Sequence, residues 1–209
     1  LLAAAAATPG FLPEDEAAAL LAAGERAARS GLGPLLEIGA YLGRSTLFLA
    51  AACAAMPPAR RAVVFSVDHH RGSEEMQAGW AHHDPTTVDP STGRMDTLPR
   101  FRRALERAGA EDLVIAVVGD SPTVAAWWST PAALVLLDGG HGEEIARADY
   151  RAWSAQVAAG GLLAIHDVFP DPAEGGRPPY ECFLEAVSSG RFLDEPALGR
   201  GSLKVLRRR

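Results

Sequence analysis

The sequence predicts an α/β fold in which helices cover both faces of a mostly parallel sheet. Apolar, strand-like runs alternate with helix-like segments along the chain, which is typical of βαβ units. The runs are continuously apolar rather than alternating, as expected for strands that are buried on both faces. Four of the first five runs end in an acid, at Asp68, Asp120, Asp138 and Asp167. Since ligands bind at the carboxyl ends of such strands, these acids mark a candidate site.

The elements can be placed in chain order from composition and from helix-stop signals. Residues 14–30 are rich in Ala, Leu, Glu and Arg and predict an amphipathic helix that Gly31 ends. Further helices are predicted over residues 45–56, 97–109, 143–161 and 180–190. Strands are predicted at PLLEIG and over residues 62–68, 112–120, 132–138 and 162–168, with two closing strands in 191–198 and 201–208.

One segment, residues 69–96, interrupts this alternation between a strand and its helix. It carries four of the six histidines, together with Met76 and Trp80. A loop of this length inside a compact domain is usually functional or disordered, and its aromatic content and mixed charge favour function. We therefore expect a single domain over residues 1–209, with an active-site lid or substrate-binding insertion at 69–96.

Composition excludes some classes of protein. The net charge of −6 gives no support to nucleic-acid binding. The apolar start, LLAAAAATPG, lacks a basic region and is too short to span a bilayer, so no membrane partner is expected. Cys53 and Cys182 form neither a disulfide framework nor a metal motif, which fits a reducing cytoplasm.

The turn after the first strand carries an acid and two glycines. Glu37, Gly39 and Gly43 form the pattern E-x-G-x-x-x-G, which differs from the dinucleotide motif G-x-G-x-x-G. Glycines there let the backbone approach a nucleotide closely, while an acid opposes a pyrophosphate and suits a cationic ligand. The pattern therefore disfavours the alternative of a nicotinamide-dependent oxidoreductase.

At this turn the chain resembles the class I S-adenosylmethionine-dependent methyltransferases. The resemblance covers residues 32–207 outside the insertion and implies a Rossmann-like, seven-stranded methyltransferase sheet whose last strand is antiparallel. It implies that Asp68 holds the ribose hydroxyls and that Asp120 and Ser121 contact the adenine. The cofactor-binding residues expected on this basis are Glu37, Gly39, Tyr41, Gly43, Ser45, Asp68, His69, Asp120, Ser121 and Asp138.

The acids that end the fourth and fifth strands point to a metal. Asp138 and Asp167 would be neighbours at one edge of the sheet, and oxygen ligands suit Mg²⁺. The arrangement resembles the metal-dependent O-methyltransferases, catechol O-methyltransferase among them. His166 departs from that pattern. Histidine is a softer ligand than a carboxylate, which leaves three alternatives for His166. It joins the metal shell, it allows Mn²⁺ or another transition metal to bind, or its side chain points elsewhere.

His141 follows Asp138 and lies between glycines. A hydroxyl acceptor must lose its proton during methyl transfer, and an imidazole near a metal can accept that proton. We therefore expect His141 to be the catalytic base. The alternative is that it only caps the following helix or bonds to a backbone carbonyl.

The phrases LLDGGHGEEIARADYRAW and GGLLAIHDVF resemble a branch of bacterial O-methyltransferases that act on sugars and glycosylated natural products. The mycobacterial sugar 1-O-methyltransferases of methylmannose polysaccharide biosynthesis belong to this branch, and the Ala- and Arg-rich composition is typical of a high-GC actinobacterium. The resemblance implies a sugar acceptor, with the 1-OH of a methylated mannoside as one candidate, and a homodimer. Residues expected to contact the substrate are His70, Trp80, His82, His83 and Tyr180.

Two alternatives remain open. One is an O-methyltransferase that acts on a phenolic or glycosylated natural product. The other is a non-catalytic protein that uses the fold only to bind a ligand or partner.

Overall fold

The computed structural model describes residues 1–209, and its helices and strands follow the predicted alternation. The strands are β1 (Leu35–Ile38), β2 (Val64–Asp68), β3 (Val88–Asp89), β4 (Arg94–Met95), β5 (Val114–Val118), β6 (Ala132–Leu137), β7 (Val157–Ile165), β8 (Phe192–Asp194) and β9 (Lys204–Arg208). The helices are α1 (Leu2–Ala7), α2 (Glu14–Ser30), α3 (Arg44–Ala54), α4 (Leu98–Ala108), α5 (Ser121–Ala125), α6 (Glu143–Ser154) and α7 (Arg177–Ser188).

Seven of the strands form one sheet in the order β5-β2-β1-β6-β7-β9-β8. The five strands from β5 to β7 are parallel, and β9 is antiparallel to both β7 and β8. The strand order reverses direction at β1, which places a crevice between β1 and β6 at their carboxyl ends. The predicted seven-stranded sheet, with its last strand antiparallel, is confirmed.

Helices cover both faces of this sheet. On one face α1 to α4 pack with Leu35 of β1 in a core of 27 buried residues, and on the other α5 to α7 pack with Leu36 in a core of 17. Neighbouring residues of β1 thus enter opposite cores, which explains why its sequence is continuously apolar. Strand β5 lies at the sheet edge and is largely exposed.

The predicted helix over residues 143–161 is too long. Helix α6 ends at Ser154, and β7 already begins at Val157. Pairing between β6 and β7 shifts register between Ala132 and Leu134, opposite the stretch that contains Gly160 and Gly161. A side chain on Gly161 would crowd the carbonyl oxygens of Ala132 and Ala133 at 3.0 Å. The glycine pair therefore marks a β-bulge rather than a helix end.

The insertion at 69–96 contains two short 3-10 turns and the β3–β4 hairpin, which the sequence did not indicate. Its first residues are fastened to the body of the protein. The His70 imidazole hydrogen-bonds to the hydroxyl of Thr97, directly before α4, at 2.8 Å, and the Arg71 guanidinium joins the two ends of the insertion by donating to the Met95 carbonyl at 3.1 Å. The next residues can therefore project over the sheet edge from a fixed base.

Helix α1 is a second element that the sequence analysis did not predict. The Arg44 guanidinium, at the start of α3, donates to the carbonyl oxygens of Ala6 at 2.8 Å, Thr8 at 3.2 Å and Leu12 at 2.9 Å. One side chain thus fastens the N-terminal segment beside the first glycine turn. None of the helices is long and apolar enough to cross a membrane.

Candidate active site

A cavity of about 880 Å³ opens at the carboxyl ends of the parallel strands. Its walls come from the β1–α3 turn, the ends of β2, β6 and β7, the insertion, and the N-terminal segment 9–12. It is the position where open α/β sheets bind ligands, and its size suits a cofactor together with a small acceptor.

Most of the predicted site residues line this cavity. These are Gly39, Tyr41, Ser45, Asp68, His69, Trp80, His82, Asp120, Ser121, Asp138, His141 and Asp167. The others, which do not line it, are Glu37, Gly43, His70, His83, His166 and Tyr180. Of these, His166 faces a small adjoining cavity that also contains Asp138 and His141.

The glycine turn after β1 is held by Asp68. One oxygen of this carboxylate accepts hydrogen bonds from the backbone N–H groups of Ala40 at 2.8 Å and Tyr41 at 3.0 Å, and the other accepts from His70 N–H at 2.6 Å. A carboxylate has about four acceptor positions, so Asp68 retains capacity for a ligand hydroxyl at the cavity wall. The acid expected to hold ribose therefore also shapes the turn.

Gly39 has φ +92°, and a Cβ there would overlap the carbonyl oxygen of Asp138. We expect Gly39→Ala to destabilise the fold by about 3 kcal/mol or more, because both backbone strain and a backbone overlap oppose it. Denaturant unfolding measures this loss. Gly109→Ala is the matched control, since Gly109 has φ +63° but nothing near its Cβ position. Equal losses in the two variants would show that the contact with Asp138 is unimportant.

Backbone strain is concentrated at this edge of the sheet. The three non-glycine residues with positive φ are Tyr41 at 46°, His70 at 58° and Asp167 at 56°, and they follow β1, β2 and β7. Such conformations cost on the order of 1–3 kcal/mol each and persist where surrounding contacts enforce them. At Asp167 the turn directs the carboxylate into the cavity.

Glu37 lies beneath the turn and is completely buried. The hydroxyls of Thr46 and Ser66 donate to its Oε2 at 2.5 and 2.6 Å, whereas Oε1 has no hydrogen-bond partner. Burial raises the pKa of this carboxyl to about 7. Glu37 therefore supports the turn from below. Its side chain is not exposed to the cavity, so the predicted direct contact with a cofactor is not possible in this arrangement.

The raised pKa gives Glu37 a pH-dependent effect on stability. The folded state holds this proton more tightly than the unfolded state, so ionisation destabilises the protein as pH rises from about 5 to 8. Glu37→Gln does not titrate. We expect its unfolding free energy relative to the parent to increase over that range by on the order of 2 kcal/mol. Urea unfolding at pH 5 and pH 8 measures this difference, and a pH-independent difference would contradict it.

Three side chains at the ends of β6 and β7 form a compact cluster. Ligand atoms of Asp138, His166 and Asp167 all lie within 4.8 Å of one another, a spacing that could hold a metal ion. His166 Nδ1 lies 2.9 Å from Asp138 Oδ1 and 3.2 Å from Asp167 Oδ2. The sequence-based pairing of the two strand-end acids is therefore realised, with the histidine between them.

The other face of His166 is held by Glu16 of α2, which the sequence analysis did not single out. Nε2 of His166 lies 2.7 Å from Glu16 Oε2, and Glu16 also accepts from the backbone N–H of Ser202 at 2.6 Å. Burial lowers the pKa of His166, but the charge of Asp138 and hydrogen bonds to Asp138, Asp167 and Glu16 outweigh it and raise the pKa to about 12. The same contacts hold the pKa of Glu16 below its usual value despite burial.

His141 bridges the sheet edge and the insertion. Its Nε2 lies 2.8 Å from Asp167 Oδ2, and its Nδ1 lies 3.1 Å from Glu75 Oε2. Burial lowers the pKa of His141, but the hydrogen bonds to both carboxylates outweigh it and raise the pKa to about 10. In this arrangement His141 is an imidazolium. It can accept a proton near neutral pH only when the charge of Asp167 is engaged elsewhere.

A second polar network lies beside the end of β5. The Ser121 hydroxyl donates to Asp149 Oδ1 at 2.6 Å and accepts from the Trp153 indole at 2.7 Å. Burial raises the pKa of Asp149 to about 6. Asp120 caps α5 through the backbone N–H and hydroxyl of Thr123. Ser121 and Asp120 thus have structural partners in addition to their place in the cavity wall.

The predicted substrate residues divide into two groups. Trp80 and His82 line the cavity. His70 is buried under Phe101, with ring centroids 5.1 Å apart. His83 bonds to the Met76 carbonyl, and Tyr180 packs against Arg177, so these two side chains lie outside the cavity as well. Closeness in sequence to Asp68 or His82 does not bring His70 and His83 into the cavity wall, because neighbouring side chains point in opposite directions.

Several site residues were missed by the sequence analysis. Glu16, Glu75, Asp149 and Phe11 contact or line the site from α2, the insertion, α6 and the N-terminal segment. Glu75 could have been found as an acid in the histidine-rich insertion. Nothing in the sequence singles out Glu16, which meets His166 from 150 positions away.

The strand order, the glycine turn and the cavity at the switch point together define the class I methyltransferase fold. A family model described as a methyltransferase domain matches residues 36–168, more than half of the chain. The chain belongs to this methyltransferase family, which confirms the predicted enzyme class.

Solved structures share the fold. The chain aligns with cofactor-bound Rv0187 from MTB at 17% identity and a TM-score of 0.65, covering 100% of this chain and 87% of the other. It aligns with CalS11, a TDP-rhamnose 3′-O-methyltransferase of calicheamicin biosynthesis, at 16% identity and a TM-score of 0.66, covering 94% and 82%. An O-methyltransferase from Bacillus cereus in complex with SAH aligns at 14% identity and a TM-score of 0.62, covering 100% and 87%.

Proposed function

We propose that this protein is an S-adenosylmethionine-dependent O-methyltransferase that methylates a hydroxyl of a small sugar with the help of a divalent metal ion. The observation that carries the proposal is the Asp138–His166–Asp167 cluster, which opens beside His141 at the cofactor end of a methyltransferase sheet. The 1-OH of a methylated mannoside is the acceptor that the sequence resemblance favours.

The cofactor side of the cavity fits a cationic nucleoside. Asp68 is the last residue of β2, Asp120 and Asp138 come after β5 and β6, and Asp149 of α6 lines the same cavity. Carboxylates there can bind ribose hydroxyls and offset the charge of a sulfonium. Relatives of the same fold support this assignment, since Rv0187 is described as cofactor-bound and the Bacillus cereus enzyme as a complex with SAH.

The residues also fit a metal. Carboxylate oxygens from Asp138 and Asp167 converge with Nδ1 of His166, whose proton a bound ion would replace, while Nε2 of His166 is held by Glu16. Metal-binding histidines typically donate their second ring N–H to a carboxylate in this way. Two carboxylates suit Mg²⁺, and the histidine also admits Mn²⁺. When bound, the ion would polarise the acceptor oxygen and lower the pKa of its hydroxyl.

The chain's own residues supply the remaining steps. With Asp167 engaged by the metal, Glu75 would hold Nδ1 of His141 and leave Nε2 free at the cavity wall, next to where the acceptor hydroxyl must lie. His141 takes the acceptor proton as the oxygen attacks the methyl carbon and the carbon–sulfur bond breaks. The insertion at 69–96, through Gly72 to Met76, covers this end of the cavity and acts as a lid that excludes water.

Calorimetry with S-adenosylhomocysteine tests this proposal directly, with and without Mg²⁺ or Mn²⁺ and with methylated mannosides and glucosides. We expect micromolar binding of the nucleoside and sugar binding that depends on the metal. Nucleoside binding with no metal response would remove the metal from the proposal. Failure of the nucleoside to bind would favour a non-catalytic ligand-binding protein.

A phenolic or glycosylated natural product is the second candidate acceptor, and the aromatic side chains of the cavity favour it as much as a sugar. CalS11, described as acting on a TDP-rhamnose, supports the sugar. A cytoplasmic location fits the two free, buried cysteines. A homodimer is supported by the sequence resemblance, and light scattering of the purified protein tests it.

A further inference from the structure

The acceptor end of the cavity carries an aromatic wall that includes a residue from outside the methyltransferase sheet. Phe11, in the N-terminal segment, is 52% exposed and lines the cavity. Its ring centroid lies 5.4 Å from that of Tyr41 and 5.1 Å from that of His82. Trp80, 54% exposed, lines the same cavity. The Phe11 ring is tilted by 34° to Tyr41 and by 69° to His82, so three separate chain segments together form one aromatic wall.

This aromatic wall is held rigidly. Arg44 fastens the backbone on both sides of Phe11, through the carbonyls of Ala6, Thr8 and Leu12, and Asp68 fixes the backbone N–H of Tyr41. A half-exposed aromatic residue that is held in place at a cavity wall is suited to stack on a ligand ring, because little rotamer freedom remains to be lost.

The charges of the cavity limit which charged groups a bound ring compound can have. Beyond the four acids of the cofactor side, five more carboxylates line the cavity, those of Glu74, Glu75, Glu144, Asp167 and Glu174. The one arginine in the lining is Arg44, whose guanidinium is already used by backbone carbonyls. His141 is the counter-ion of Glu75 and Asp167. No lysine lines the cavity, and its two other histidines are already in contact, since His69 accepts from the Arg71 backbone N–H and His82 packs against Phe11.

We infer that the acceptor is an uncharged, hydroxylated ring compound that stacks on the exposed ring of Phe11, beside Tyr41 and His82, and that phosphorylated, nucleotide-linked or carboxylated acceptors are rejected. The inference rests on the proposed function, since it describes the acceptor of that same site. The C–H face of a glycoside and the ring face of a phenol can both stack on an aromatic side chain. Nine carboxylates line the cavity, so its field stays negative even with a divalent ion, a sulfonium and the charge of His141 present, and that field disfavours an anionic acceptor even when its ring would fit.

Matched pairs of uncharged and anionic ligands test whether anionic acceptors are rejected. In the presence of Mg²⁺, methyl glycosides and phenols are titrated into the protein, with and without S-adenosylhomocysteine, against their phosphate esters, a nucleoside diphosphate sugar and the corresponding benzoates. We expect the uncharged member of each pair to bind at least about tenfold more tightly. The better of the glycoside and phenol arms identifies the kind of ring. Glu144→Lys is expected to narrow the preference by at least about threefold.

Variants of Phe11 test the stacking wall. Phe11→Ala should weaken binding of the preferred ring compound by about tenfold, Phe11→Tyr should retain it, and S-adenosylhomocysteine affinity should not change. Trp127→Ala is the matched control, because Trp127 is 89% exposed but lies outside the cavity.

Three results would overturn the inference: tighter binding of the anionic member, no effect of Phe11→Ala, or no binding by any uncharged ring compound. Each can occur while S-adenosylhomocysteine still binds, and the proposed function then stands. If S-adenosylhomocysteine alone failed to bind, the proposed function would be wrong. Binding of the uncharged ring compounds to the protein without S-adenosylhomocysteine would still test the aromatic wall.

Discussion

Asp167→Asn is expected to lower kcat/KM for methyl transfer by at least about 100-fold, the scale typical of losing a ligand or proton-positioning group. Asp167 contributes to both parts of the site, since its carboxylate belongs to the metal-type cluster and accepts from His141 at 2.8 Å. Asparagine tolerates the positive φ of 56° found there, so the turn itself should survive the change. Stimulation by added Mg²⁺ should disappear as well.

Steady-state kinetics with a metal titration measure this effect, and calorimetry with S-adenosylhomocysteine shows whether the cofactor side is intact. Glu174→Gln is the matched control, because Glu174 also lines the cavity but its carboxylate makes no hydrogen bond or ion pair in the chain. We expect it to change kcat/KM by less than about threefold, as for an exposed charge. If Asp167→Asn remained active and metal-responsive, the cluster would not be the metal site.

His141→Gln is expected to lower kcat by about 10²–10³, with little change in nucleoside affinity. Glutamine retains a hydrogen-bond donor toward Asp167 or Glu75 but cannot accept the acceptor proton. The comparison with His141→Lys separates two roles. Lysine restores the positive charge between Asp167 and Glu75 but, paired with two carboxylates, remains protonated.

If His141 accepts the proton, both variants lose activity to a similar extent. If it serves only as a counter-ion for the two acids, His141→Lys recovers most of the rate and the role of base must be abandoned. Rapid-quench measurement of a single turnover checks that the loss lies in the chemical step rather than in product release.

The parts of the structure that sequence reasoning predicted well depend on local patterns. Apolar runs ending in Asp68, Asp138 and Asp167 indicated strands and their functional ends, because the carboxyl ends of parallel strands share one edge. The glycine turn was recognisable because Gly39 occupies backbone space that no side chain can share.

The parts that it could not predict depend on which way a side chain points or on contacts between distant segments. Glu37 and His70 are next to cavity residues in sequence but are buried beneath them. Gly160 and Gly161 look like a helix stop until their pairing with β6 is known. Phe11 lies in a segment whose position depends on Arg44, and no periodic pattern connects the two.

The contacts of Glu16 have a consequence for how the protein is made. This carboxylate joins α2 near the start of the chain to His166 after β7 and to Ser202 just before β9. The backbone donor at Ser202 comes 186 positions after its acceptor. A growing chain therefore leaves Glu16 without its backbone donor until Ser202 has been synthesised. The acid–histidine cluster is therefore completed only after all five parallel strands have been made, and a chain that stops before Ser202 lacks the backbone donor of Glu16.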